Sequence, residues 1–153
     1  MELRDKVVVV TGGASGIGTG LCRRFREEGV RGLVIADLNG DVAADLAAEV
    51  GGKSYALDVR DEAALAAMVA ETEAEFGQID LFCSNAGILN LDDGNFWATS
   101  SPNEIWQRNW EVHVMAHIYA ARACLPDMIR RGEGYFLHTV SAAGLLTDRK
   151  SVV

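Results

Sequence analysis

Two rhythms of apolar residues alternate along this chain. Short runs at 7–10, 33–36, 53–57, 79–84 and 135–140 are rich in Val, Ile, Leu, Phe or Tyr, and they predict strands that are largely buried. Between them, apolar side chains return every three or four positions, the spacing of one helix face. Ile17, Leu21 and Phe25 predict a first helix that Gly29 ends. Asn39 suits the N-cap of a second helix, with Val42, Leu46 and Val50 on its inner side and Gly51-Gly52 closing it. Asp61 opens a third, with Leu65, Met68, Val69, Thr72 and Phe76 inward and Gly77 at its end. A long loop over 87–102 leads to a long helix, expected to bend or break near Pro126.

Strand and helix thus alternate, which implies a parallel sheet with right-handed crossovers. Five strands fit the order 3-2-1-4-5 of a doubly wound α/β sheet. Its ligand is expected beyond the C-terminal ends of the strands, near the switch between strands 1 and 4. The first two helices should cover one face and the third and long helices the other. With nothing further on the first face, alternate residues among Leu81, Phe82 and Cys83, and among Phe136, Leu137 and Val140, are expected to be bare. Strand 5 is expected to be an open edge, and the chain to be poorly soluble or partly unfolded.

Composition narrows the function classes. The chain has 153 residues, a hydrophobic fraction of 49% and a net charge of -8, which fit one soluble domain with a real core. No basic stripe offers itself to nucleic acid or to an anionic membrane. No leader and no apolar run near the roughly 18 residues of a membrane span is visible. A cytoplasmic location is the expectation. Cys22, Cys83 and Cys124 each sit in an apolar stretch and read as buried free thiols.

Candidate chemistry gathers at the predicted strand ends. Thr11-Gly12-Gly13-Ala14-Ser15-Gly16-Ile17-Gly18 joins the first strand to the first helix. Glycines there let backbone approach a pyrophosphate, and the first helical turn offers N–H groups to the anion. Asp37 closes the second strand, 19 residues after Gly18. An acid at that point also suits a turn or a helix cap. Downstream of a glycine loop it can accept hydrogen bonds from both adenosine ribose hydroxyls and repel a 2′-phosphate. No Arg or Lys lies in the loop or just after Asp37, which favours NAD over NADP. Asp58-Val59 and Asn85-Ala86-Gly87 end the third and fourth strands and reach the same crevice.

With these residues in hand, the chain resembles the short-chain dehydrogenase/reductase family over about 1–147. The loop Thr11-Gly12-x-x-x-Gly16-x-Gly18 is similar to its cofactor signature, Asp37 to its NAD-selecting acid, and Ser84-Asn85-Ala86-Gly87 to its Asn-Asn-Ala-Gly motif with the first Asn replaced. The likeness continues through Trp106, Pro126, Gly134 and Thr139-Val140-Ser141-Ala142-Ala143-Gly144. It implies a Rossmann-type fold, here truncated after the fifth strand, and hydride transfer between NAD(H) and a secondary alcohol or ketone. By the same resemblance Gly12, Ser15, Gly16, Ile17 and Gly18 hold the pyrophosphate. Asp37 holds the adenosine ribose, Asp58 and Val59 flank the adenine, and Asn85, Ala86 and Gly87 line the inner ribose side. Ser141 matches the catalytic serine. A full-length form is expected to be a homo-oligomer.

The chain also departs from that pattern. The family's catalytic tyrosine follows its serine by 13 positions, one place past Val153, with a lysine four residues further on. Tyr55, Tyr119 and Tyr135 have no lysine at that spacing. Asp148-Arg149-Lys150-Ser151-Val152-Val153 resembles no part of the family, and 148–153 is expected to be a foreign tail. The chain as written is expected to be inactive; the alternative is a non-catalytic NAD-binding module or regulator. His113 stands where the family's relay asparagine falls. His113 and His117 could form one edge of a metal site, but Cys83 and His138 belong to other strands and no metal is expected. Trp97, Trp106 and Trp110 read as loop and helix-packing residues.

Overall fold

A computed structural model of the chain describes residues 1–89 and 101–142. The elements run β1 (Val7–Thr11), α1 (Gly16–Glu27), β2 (Gly32–Asp37), α2 (Gly40–Val50), β3 (Lys53–Ala56), α3 (Glu62–Phe76), β4 (Leu81–Ser84), α4 (Asn103–Trp110), a π-helical segment (Glu111–Met115), α5 (Ala116–Arg131) and β5 (Tyr135–His138). The five strands form one parallel sheet in the order β3-β2-β1-β4-β5. This is the doubly wound, Rossmann-type α/β architecture that the alternating pattern predicts. Among the described residues no helix is long and apolar enough to cross a membrane.

The two faces of the sheet carry separate cores. Strand residues alternate between them because successive side chains point to opposite sides. Val8, Val10, Leu33 and Ile35 pack with Cys22 and Phe25 of α1 and Ala43, Leu46, Ala47 and Val50 of α2. Val7, Val9, Val34 and Phe82 pack with Leu65, Met68 and Val69 of α3 and Ala120, Cys124 and Met128 of α5. Side-chain oxygens of Asn39 and Asp61 cap α2 and α3, accepting from the N–H of Val42 and Ala64.

The structure corrects several expectations. Leu81 and Cys83 are buried, because they share one core with Cys22 and Phe25 of α1 and Val8 and Val10 of β1. Among the described residues, β5 is the open strand on that face: Tyr135 and Leu137 are exposed by 47% and 42%. Val42 and Ile17 face outward, so the inner stripes are Ala43–Leu46–Ala47–Val50 and Gly18–Cys22–Phe25. Trp106 and Trp110 are exposed rather than packed. The long helix is interrupted by the π segment and not by Pro126, which α5 carries within its length. Trp97, Ala143, Gly144 and the expected tail 148–153 lie outside the described residues.

All three thiols are buried, and burial pushes each up to about 12.

Candidate dinucleotide site

The turn between β1 and α1 is built around two glycines that admit no side chain. Gly12 has φ +64°, and a Cβ there would sit 2.6 Å from the Cα of Ala86. A Cβ on Gly18 would stand 2.0 Å from the carbonyl oxygen of Gly12. The first turn of α1 therefore folds tightly under the loop. Its N-cap Ser15 makes no side-chain capping bond and its first turn holds no acid, whereas α2 and α3 are both capped. The N–H groups and the positive end of the α1 dipole are left for an anion.

Polar side chains from three strands fix the loop. Thr11 Oγ1 accepts from the N–H of Asn85 and of Ala86 at 3.1 and 3.3 Å. The Asn85 amide donates to the carbonyls of Thr11 and Gly12, each at 3.1 Å. Thr139, just past β5, donates its hydroxyl to Asn85 Oδ1 at 2.7 Å. Asn85 thus spends its amide on backbone and acts on the cleft by holding its floor.

Asp37, at the end of β2, faces the same loop. Its Oδ2 accepts from the N–H of Ala14 at 3.0 Å and its Oδ1 from that of Asn39 at 2.9 Å. Each oxygen retains a further lone-pair direction, so the carboxylate is oriented without being saturated.

A cleft of about 340 Å³ lies over these strand ends. Gly12, Ser15, Gly16, Ile17, Asp37, Asp58, Val59, Asn85, Ala86 and Gly87 all line it. Gly18 packs beneath the loop. Ser141 does not line the cleft, although Thr139 does. The location matches the switch point between β1 and β4 that the strand order implies.

Sequence reading missed two cations here. Arg60 and Arg108 line the cleft, brought in from the β3–α3 connection and from α4. Arg60 makes paired hydrogen bonds to Asp58 and lies 3.7 Å from Glu111. The guanidinium beside Asp58 holds that carboxyl below its ordinary value. Neither arginine adjoins Asp37 in sequence, so only the fold could reveal them.

The π segment carries His113, whose Nε2 lies 3.0 Å from the carbonyl oxygen of Ile88. His138, at the end of β5, comes close to His117 near the start of α5: their Nδ1 atoms are 3.1 Å apart. Among the described residues no group of three or more His, Cys, Asp or Glu is arranged to hold a metal ion.

Comparison with known proteins agrees with this geometry. Residues 6–152 match the profile of the family described as short chain dehydrogenase. The chain is 33% identical to a 1-deoxy-11-beta-hydroxypentalenate dehydrogenase of Streptomyces exfoliatus, over 99% of this chain and 56% of that protein. It superposes on a 3-ketoacyl-(acyl-carrier-protein) reductase from Brucella melitensis complexed with NADH, with a TM-score of 0.83 and 29% identity over 91% of this chain and 58% of that one. An NAD+-bound xylitol dehydrogenase gives a TM-score of 0.86 and 27% identity over 97% of this chain and 57% of that one. The chain therefore spans a little over half the length of these relatives.

Proposed function

The chain belongs to the short-chain dehydrogenase family, and from that premise we propose that it serves an NAD-dependent oxidoreductase of secondary alcohols or ketones. One observation carries the choice of cofactor. Asp37 is aimed at the cleft while two backbone N–H groups fix its orientation. A carboxylate so held accepts from vicinal ribose hydroxyls and repels a phosphate at the same position. Arg60 does not offset this, since Asp58 and Glu111 share its charge, and the Asp58 carboxylate also faces the charge of Arg108. The NADH and NAD+ named for the two structural relatives support a nicotinamide cofactor.

The roles follow from position. Gly12, Ser15, Gly16 and Ile17 cradle the pyrophosphate over the uncapped start of α1, and Gly18 allows the approach. Asp58 and Val59 bound the adenine side. Asn85 keeps the Gly12 carbonyl and the strand ends in register, and Ala86 and Gly87 leave room for the inner ribose. Bound NAD(H) supplies the hydride donor or acceptor at its nicotinamide ring. Ser141, three residues beyond β5, is the group of this chain assigned to the substrate oxygen. His113 holds the Ile88 carbonyl in the relay position.

The second reading is a non-catalytic NAD-binding module. The enzyme reading assigns a small alcohol or ketone as substrate, a cytoplasmic location and a homo-oligomeric full-length form. Titration of the 153-residue chain with NADH, followed by nucleotide fluorescence, tests cofactor binding. Micromolar NADH affinity is expected, and no NADH binding would contradict the proposal. Turnover that returns only when a Tyr-x-x-x-Lys segment is appended would favour the enzyme; failure to return would favour the module.

A further inference from the structure

Away from the cleft, a polar chain links β4, α5 and β5. Ser84, the last residue of β4, is buried, and its hydroxyl lies 2.5 Å from Nδ1 of His117. The same nitrogen is 3.1 Å from Nδ1 of His138, the last residue of β5. The imidazoles meet edge to face with centroids 4.8 Å apart, and His138 also stacks on Phe136 at 5.8 Å. None of the three polar residues lines the cleft.

Two Nδ1 atoms at hydrogen-bond distance need one N–H and one lone pair between them. The pair can be neutral in opposite tautomers, or it can carry one added proton. It cannot carry two, because both nitrogens would then present N–H groups and both rings would be cationic. The surroundings reinforce this. Among the described residues, the charges acting on His117 are His138 of β5 and His113 of the π segment, and both oppose its protonation; Ser84 of β4 adds only a neutral hydroxyl. Burial acts in the same direction and holds His117 below the ordinary 6.5.

What the pair fastens is the end of β5. The N–H of Thr139 donates to the carbonyl of Ser84 at 3.2 Å, and the Thr139 hydroxyl donates to Asn85. We propose that Ser84, His117 and His138 form a hydrogen-bonded chain that positions the end of β5, with Thr139 and Ser141, and that opens when both imidazoles are protonated. His117 and His138 are positioning residues in this scheme. The scheme does not depend on which dinucleotide binds.

Two measurements on the full chain test it. Nitrogen-15 NMR of the histidine side chains from pH 8.5 to 4.5 should find His117 and His138 with opposite Nδ1 states at high pH, with His117 taking up its proton below the ordinary 6.5. Amide exchange at Thr139, corrected for its intrinsic rate, should lose at least tenfold protection between pH 7.5 and 5. In His138→Asn, whose amide keeps a hydrogen bond but does not titrate, that loss should vanish. Matching tautomers with independent titration near the ordinary value would overturn the proposal, as would equal acid loosening in His138→Asn.

Discussion

Thr139 Oγ1 donates to Asn85 Oδ1 at 2.7 Å, and Asn85 passes the constraint on by donating to the carbonyl of Gly12. The last strand and the first loop, far apart in sequence, are therefore held through one amide. Replacing Asn85 with Ala removes the donor to the Thr11 and Gly12 carbonyls and the acceptor of the Thr139 hydroxyl. The expected loss is about 2 kcal/mol, or roughly 4–8 °C in Tm for a domain of this size. Thermal unfolding followed by circular dichroism checks this, and an unchanged Tm would refute the positioning role of Asn85.

Gly18→Ala is expected to act on the same loop by crowding. The new methyl would meet the Gly12 carbonyl at 2.0 Å, so backbone must shift. Overpacking of this kind costs about 1–3 kcal/mol. NADH affinity should fall by at least tenfold, because the displaced backbone is the anion cradle. Calorimetric titration reads both the affinity and the folded fraction.

The thiols yield a prediction of silence. With Cys22, Cys83 and Cys124 each pushed up to about 12, the thiolate fraction at pH 8 is on the order of one in ten thousand. A disulfide-exchange reagent should label no cysteine in the native chain within minutes and all of them in guanidinium. Fast labelling in the native state would show that the two cores open readily.

How much of this was legible beforehand follows from the range of each signal. The runs at 7–10 and 33–36 are continuously apolar, Val-Val-Val-Val and Leu-Val-Ile-Ala, because parallel strands are covered on both faces, and they located β1 and β2 directly. Asn39 and Asp61 announced two helix starts because a cap acts within three residues. The cleft residues were readable because each sits at a strand end, where the topology sends it to one crevice. Arg60, Arg108 and the pairing of His117 with His138 were not, since those contacts depend on how separate elements lie against each other. The π segment gave no sign either: a single widened turn leaves the apolar spacing almost intact.

Exposed Tyr135 and Leu137 on β5 predict self-association. Among the described strands β5 pairs with β4 alone, so its outer edge offers unpaired backbone groups beside apolar side chains. Light scattering should show mass rising with concentration, and Leu137→Lys should suppress the rise. A monomer at every concentration would argue that the edge is protected.

The central claim is that Asp37 selects the unphosphorylated dinucleotide, and the most direct test is the ratio of NADPH to NADH dissociation constants before and after Asp37→Ala. The account predicts a ratio of at least tenfold in the parent chain, collapsing toward one in the variant, chiefly through weaker NADH binding. A parent chain that binds both equally, or a variant that keeps the full preference, would contradict it.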